Sequence, residues 1–179
     1  MVKLPPFQKL WDAYPNAHSP ADVGKLIGGA VGSGIGEVDE NGVPKGWIKN
    51  TCAIRLSRAF NYSGNEFRVP SSVTFADKGN PKTMSTILGS DKLRYAFRVA
   101  EFLKYLRQSL GKPQISVAKA RGDATGHLDL WDGAACKHAA YWEQAMNVYL
   151  YADKSLWTVT APTAGAAAGT TPVVHVAPH

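Results

Sequence analysis

Asn50-Thr51-Cys52-Ala53-Ile54-Arg55-Leu56-Ser57-Arg58-Ala59-Phe60-Asn61 is the stretch on which the reading of this chain turns. Asn50 and Thr51 supply the side-chain oxygens that start helices, and Ala53, Leu56, Ala59 and Phe60 recur along one helical face. The spacing predicts a helix from Cys52 to Asn61 with a thiol in its first turn. There the unpaired backbone N–H groups and the positive end of the helix dipole favour an anion, so a thiolate is accessible near neutral pH. A base is the missing part, and Gly126-His127-Leu128-Asp129-Leu130-Trp131 places His127 at the head of a strand-like run.

Upstream of that helix, Phe7 to Tyr14 reads as a short helix. Ser19-Pro20-Ala21-Asp22 starts a second one, with Ser19 as N-cap and Pro20 in the first position, and it runs to about Ile27. The glycines that follow, from Gly28 to Gly36, predict a loop over residues 28–46. This loop is not a phosphate cradle. It lacks a Gly-Lys-Ser/Thr ending and the strand-turn-helix setting that brings glycine backbone against a pyrophosphate.

Downstream, residues 61–91 are polar and turn-rich, with short strands at most around Phe67, Val69, Val73 and Phe75. Ser90 or Asp91 is expected to cap the longest helix, carried by Leu93, Phe97, Phe102, Leu103, Leu106 and Leu110 and stopped by Gly111-Lys112-Pro113. Ile115–Lys119 and Leu128–Trp131 alternate as two strands around Gly122-Asp123, and Val148 and Leu150 suggest a third. Helices followed by a small antiparallel sheet give an α+β class. From Thr160 on, Ala, Gly, Thr and Pro dominate with almost no charge, so the expected organisation is one domain over 1–159 and a flexible tail over 160–179.

A chain of 179 residues accommodates one domain with a real core. Two cysteines without Cys-x-x-Cys spacing exclude a disulfide framework and a structural zinc pattern, and no metal or cofactor is expected. Residues 1–18 contain no apolar run long enough for a signal-peptide core, and nothing later reaches spanning length, so membrane insertion is not expected. A formal charge of +6 favours anionic partners such as nucleic acid, anionic lipid or cell wall. The Lys and Arg residues are not clustered or interleaved with aromatics, which argues against nucleic acid.

A cysteine on a helix start, followed about 75 residues later by a histidine on a strand, is the chain order of papain-like peptidases. Ala21-Asp22-Val23-Gly24-Lys25-Leu26-Ile27-Gly28-Gly29, Asn50-Thr51-Cys52-Ala53-Ile54-Arg55-Leu56-Ser57 and Gly126-His127-Leu128-Asp129-Leu130-Trp131-Asp132-Gly133 resemble three segments of the type VI secretion amidase effectors, fourth group. Phe97-Arg98-Val99-Ala100-Glu101-Phe102-Leu103 resembles that group's long helix, and the likeness covers roughly residues 7–157. The resemblance implies a papain-like fold of the NlpC/P60 type. It also implies a toxin delivered without a signal peptide into the periplasm of a rival Gram-negative bacterium, where it cuts the peptidoglycan stem peptide between D-glutamate and meso-diaminopimelate. A cognate immunity protein and components of the secretion tube or spike are its implied partners.

Residue by residue, the resemblance makes Cys52 the nucleophile and His127 the base. The group's pattern has an aspartate eleven residues beyond the histidine, where this chain has His138. Some NlpC/P60 enzymes use a second histidine in that role, so His138 is the expected orienting residue. Asp129, two residues along the strand and on the same face as His127, is the alternative third member or a group that binds the substrate amine. Arg55, Arg58 and Arg121 are candidates to meet substrate carboxylates. Cys136 matches a cysteine that relatives pair in a disulfide, but position 140 is alanine, and a bond to Cys52 is not expected. Two rival readings remain at this level: a non-enzymatic wall- or nucleic-acid-binding module with Cys52 as packing, and a papain-like protease acting on proteins.

Overall fold

The computed structural model describes residues 4–16, 18–77, 80–112, 115–118, 127–132, 135–138, 147–151 and 173–177. Helix α4 (Cys52–Ser63) lies at the centre, and its buried positions run almost all the way round instead of along one stripe. Ala53, Leu56, Ala59 and Phe60 enter one core with Leu10, Tyr14, Phe102, Leu106, Leu128 and Leu130. Ile54, on another face, enters a second core with Val23, Ile27, Val31, Ile35, Ile48 and Tyr95. Polar positions such as Arg55, Ser57 and Asn61 are enclosed along with the apolar ones, and the helix joins the two cores.

Helix α1 (Phe7–Ala13) packs on α4. Helix α2 (Pro20–Ile27) starts as its sequence predicts: the Ser19 hydroxyl accepts the Asp22 N–H at 3.2 Å, and Pro20 occupies the first turn. The expected loop at 28–46 is corrected in its first part, because Gly29–Ile35 forms a helix, α3. Val31 and Ile35, one turn apart, are fully buried against the α2 residues Val23 and Ile27, and that burial outweighs the poor helix propensity of the glycines. Gly28, at φ 65°, ends α2 and turns the chain directly into α3. A Cβ on Gly32 would stand 2.9 Å from the Gly24 carbonyl oxygen, so the two helices meet backbone to backbone.

The expected helix from residue 91 is also corrected at its start. Strands β1 (Thr74–Asp77) and β2 (Asn80–Thr83) pair antiparallel, and β3 (Thr86–Leu88) pairs with β4 (Arg94–Ala96) across a turn at 89–93. Asp91 Oδ1 accepts the Leu93 N–H at 3.0 Å, while Oδ2 accepts the hydroxyls of Tyr95 at 2.6 Å and Tyr62 at 2.9 Å. An aspartate bonded to the backbone two residues on is the same local signal in a turn as at a helix N-cap, and here it makes the turn. Helix α5 begins only at Val99 and ends at Leu110 before Gly111.

The remaining strands, β5 (Ile115–Ala118), β6 (His127–Trp131), β7 (Asn147–Tyr151) and β8 (Val173–Ala177), form one antiparallel sheet in the order β5-β7-β8-β6. The three strands expected from sequence are present. However, β5 and β6 stand at opposite edges instead of forming a hairpin, and the residues between them lie outside the described ones. The expected tail is corrected as well: residues 173–177 pair with both β7 and β6. Val173, Val174 and Val176 are a β-branched run bracketed by Pro172 and Pro178, a strand signal diluted by the Ala/Gly-rich residues before it. Residues 160–172 and 178–179 lie outside the described residues. Among the described residues no helix is long and apolar enough to cross a membrane.

Candidate active site

Cys52 is the first residue of α4 and is buried, with its N–H donated to Asn50 Oδ1 at 2.9 Å. Asn50 thus satisfies one of the helix's unpaired donors. Strand β6 packs against α4 and brings His127 to Cys52. Burial opposes a charged imidazole here. Hydrogen bonds with Asp129 and Cys52, together with their charges, outweigh it and push the His127 pKa up to about 9.

The alternation of β6 puts His127 and Asp129 on one face, and His127 Nε2 stands 3.4 Å from Asp129 Oδ2. Asp129 is wholly enclosed at 0 % exposure. Its Oδ1 accepts the Leu130 N–H at 2.8 Å, and its Oδ2 accepts the His138 N–H at 3.0 Å. His138 therefore reaches the cluster through its backbone, while the residue as a whole is exposed. Burial, followed by the positive charge of Arg55, lowers the pKa of its ring, and Asp129 opposes them. Of the two candidates for the third position, the geometry puts the carboxylate of Asp129 on the imidazole.

The expectation that Arg55 meets a substrate carboxylate is corrected. Arg55 is 1 % exposed, and its guanidinium is spent on the protein itself. It donates to Thr51 Oγ1 at 3.1 Å, to the Pro15 carbonyl, and to the His18 carbonyl at 2.6 Å. Arg58 likewise donates to the Ala13 carbonyl and lies over the Tyr62 ring. Arg121 lies outside the described residues.

Sequence reasoning missed Tyr14. It follows α1 directly, is 3 % exposed, and directs its hydroxyl to the Leu128 carbonyl at 3.5 Å and to Asp129. Burial first, and then the Asp129 charge, raise its pKa well above the usual tyrosine range, so it remains a donor. Leu10 and Tyr14 share an i,i+4 face, which marks Tyr14 as core but not as a neighbour of the site. Cys136 is a free, half-buried thiol pushed up to about 12 by burial and by the charges of Asp129 and Asp132. Cys52 is also free.

A protein-family model described as "Type VI secretion system (T6SS), amidase effector protein 4" matches residues 48–123, a span that includes Cys52. No curated protein matches the chain. Among solved structures, the effector–immunity complex Tae4-Tai4 from Enterobacter cloacae is similar at 28% identity and a TM-score of 0.60, over 98% of both chains. The effector Tae4 from the same organism is similar at 26% identity and a TM-score of 0.61, over 98% of this chain and 96% of its own. The effector Tae4 from Salmonella typhimurium, in complex with the immunity protein Tai4 from Enterobacter cloacae, is similar at 25% identity and a TM-score of 0.58, over 98% of both. An α+β fold of papain-like type, a family model whose span takes in the cysteine helix and structural likeness across nearly the whole length agree: the chain is similar in sequence and fold to the type VI secretion amidase effectors of the fourth group.

Proposed function

We propose that this amidase effector hydrolyses the amide bond between D-glutamate and meso-diaminopimelate in peptidoglycan stem peptides, using Cys52 as nucleophile, His127 as acid and base, and Asp129 as the orienting carboxylate. The observation that carries the reading is the buried sequence of groups from Cys52 through His127 to Asp129, on a helix start and an adjoining strand. The catalytic unit is a single domain running from α1 to β8. It acts in the periplasm of the target cell after delivery by the secretion tube or spike. The Enterobacter and Salmonella relatives are held by Tai4 in their complexes, and a cognate immunity protein is the corresponding partner here.

With His127 protonated, the Cys52 sulfur attacks the γ-carbonyl carbon of D-glutamate as a thiolate. The carbonyl oxygen takes the Cys52 N–H in place of Asn50, and the developing oxyanion is held there. The carbon–nitrogen bond then breaks as the imidazolium protonates the leaving diaminopimelate amine. The neutral imidazole next takes a proton from water, whose oxygen attacks the thioester. Cleavage of the carbon–sulfur bond frees the γ-carboxylic acid, which loses its proton to solvent, and restores the thiolate and imidazolium. Asp129 keeps the ring in the orientation that serves both transfers.

Mass spectrometry of meso-diaminopimelate-type sacculi after digestion tests the reading. The expected products are stem peptides split after D-glutamate, absent with Cys52→Ala, which removes the nucleophile and little volume. Wall cleavage by the purified mutant above a mock preparation refutes the assignment.

A further inference from the structure

Cys52 begins α4, yet the residue in the N-cap position does not cap the helix. Thr51 makes no side-chain bond to the first turn; it is buried, and its Oγ1 accepts Arg55 Nε at 3.1 Å. The cap comes from one residue earlier, where Asn50 Oδ1 accepts the Cys52 N–H at 2.9 Å. A cap needs only that oxygen. The Asn50 amide also carries two N–H donors, and among the described residues nothing accepts from them. Asn50 is exposed, whereas Cys52 is 3 % exposed, so the amide can turn without disturbing the packing around the thiol.

An acyl group attacked by the Cys52 sulfur places its developing oxyanion near the N–H of the same residue, the donor that Asn50 Oδ1 occupies at rest. Once the substrate oxygen takes that N–H, the amide is released. An exposed side chain reorients within picoseconds to nanoseconds. Turned over, the Asn50 amide presents Nδ2 in place of Oδ1, and two N–H donors converge on the oxyanion. Other polar groups around the helix start are directed elsewhere: the Tyr14 hydroxyl to the Leu128 carbonyl, the His138 N–H to Asp129, and the Arg55 guanidinium to Thr51 and the carbonyls of Pro15 and His18.

We propose that Asn50 is a further catalytic residue, whose amide caps the Cys52 N–H at rest and donates to the oxyanion when Cys52 attacks an acyl group. The proposal rests on the reading of Cys52 as nucleophile. It is tested in the full chain with two small reagents that meet the same sulfur. With p-nitrophenyl acetate a carbon–sulfur bond forms and the carbonyl oxygen takes the negative charge; collapse of that oxyanion breaks the carbon–oxygen bond and expels p-nitrophenolate. Iodoacetamide is alkylated onto the sulfur by displacement of iodide, with no charge placed on a carbonyl oxygen. The ratio of the two rates, each corrected with Cys52→Ala, reports the oxyanion and cancels any change in the thiolate population.

Asn50→Asp keeps the acceptor and adds a charge suited to a helix start, so its melting temperature is expected to hold, while Asn50→Ala loses the cap and melts lower. Despite these unlike stabilities, the ratio of acylation to alkylation is expected to fall at least about tenfold in both, because neither side chain has a donor for the oxyanion. A ratio that is unchanged or raised in Asn50→Ala overturns the proposal and leaves Asn50 as a cap. A fall confined to Asn50→Asp is the work of its charge and overturns it as well. If Asn50→Ala does not fold, Asn50→Gly, a milder loss at a cap and equally without a donor, decides by the same ratio. An unsubstituted protein whose Cys52 takes neither reagent overturns both this proposal and the nucleophile. One that is acylated yet leaves sacculi uncut refutes the wall substrate instead, and the role of Asn50 stands on its ratio.

Discussion

Asp129 serves two neighbours with one oxygen: Oδ2 faces the His127 ring and accepts the His138 N–H. Losing the carboxylate removes one of the groups that orient the imidazole, whereas losing the His138 side chain leaves that N–H in place. Asp129→Asn is therefore expected to lower turnover at least about a hundredfold with the fold retained. His138→Ala should stay within about threefold of normal, because a backbone bond survives the substitution. Steady-state kinetics on purified stem peptides separates them, and the reverse ranking returns the orienting role to His138. Cys52 and His127 were legible because a helix start and a strand opening leave local signals. The third position was legible only as a choice between His138 and Asp129, since position eleven beyond the histidine is occupied by a residue that reaches the cluster through its main chain. Arg55 was misread for a related reason: its acceptors include the carbonyls of Pro15 and His18, distant in sequence, and only the fold brings them to it.

At the scale of elements, β8 is the least expected and the most consequential. His127 pairs with Ala177 and Asp129 with His175, so the strand that carries the imidazole and its carboxylate is supported on one side by β8. Ending the chain after residue 172 exposes the inner edges of β6 and β7 together. Such a protein is expected to melt about 5 °C lower or more and to lose most of its wall-cleaving activity, as read by thermal unfolding and product analysis. A truncated chain with the original melting temperature and activity shows β8 to be dispensable. Helix α3 and the β3–β4 turn escaped the sequence for complementary reasons. In α3, tertiary burial of Val31 and Ile35 overrides glycine's preference. At Asp91, one side-chain bond fits both a helix start and a turn, and the choice falls to Tyr95, whose ring is buried while its hydroxyl reaches Asp91.

For the whole molecule, the α+β class was readable from the order of patterned segments, while the strand order was not, because alternation specifies a strand but not its neighbour. The partners of His127 set the pH response of the site against the effect of burial. The His127 pKa of about 9 lies above its ordinary value of 6.5, so its contribution to stability is fully present below about pH 6.5 and is lost as pH rises through about 9. In the proposed mechanism the same proton is the one given to the leaving amine. Turnover is expected to persist through neutral pH and to fall on an alkaline limb near pH 9, with thermal stability declining over the same interval. A kcat profile already falling between pH 6 and 7 as pH rises contradicts the raised imidazole.

The insertion of β8 between β7 and β6 also orders events in time. A ribosome emits the cysteine helix first, the histidine strand next, and the strand that joins β6 to the rest of the sheet later than either. At roughly 5–20 residues per second, seconds separate β6 from its partner. During that interval the nascent chain carries the proposed nucleophile and base without the hydrogen-bonded frame that aligns them, so the hydrolytic competence proposed for them arrives after both residues have been made.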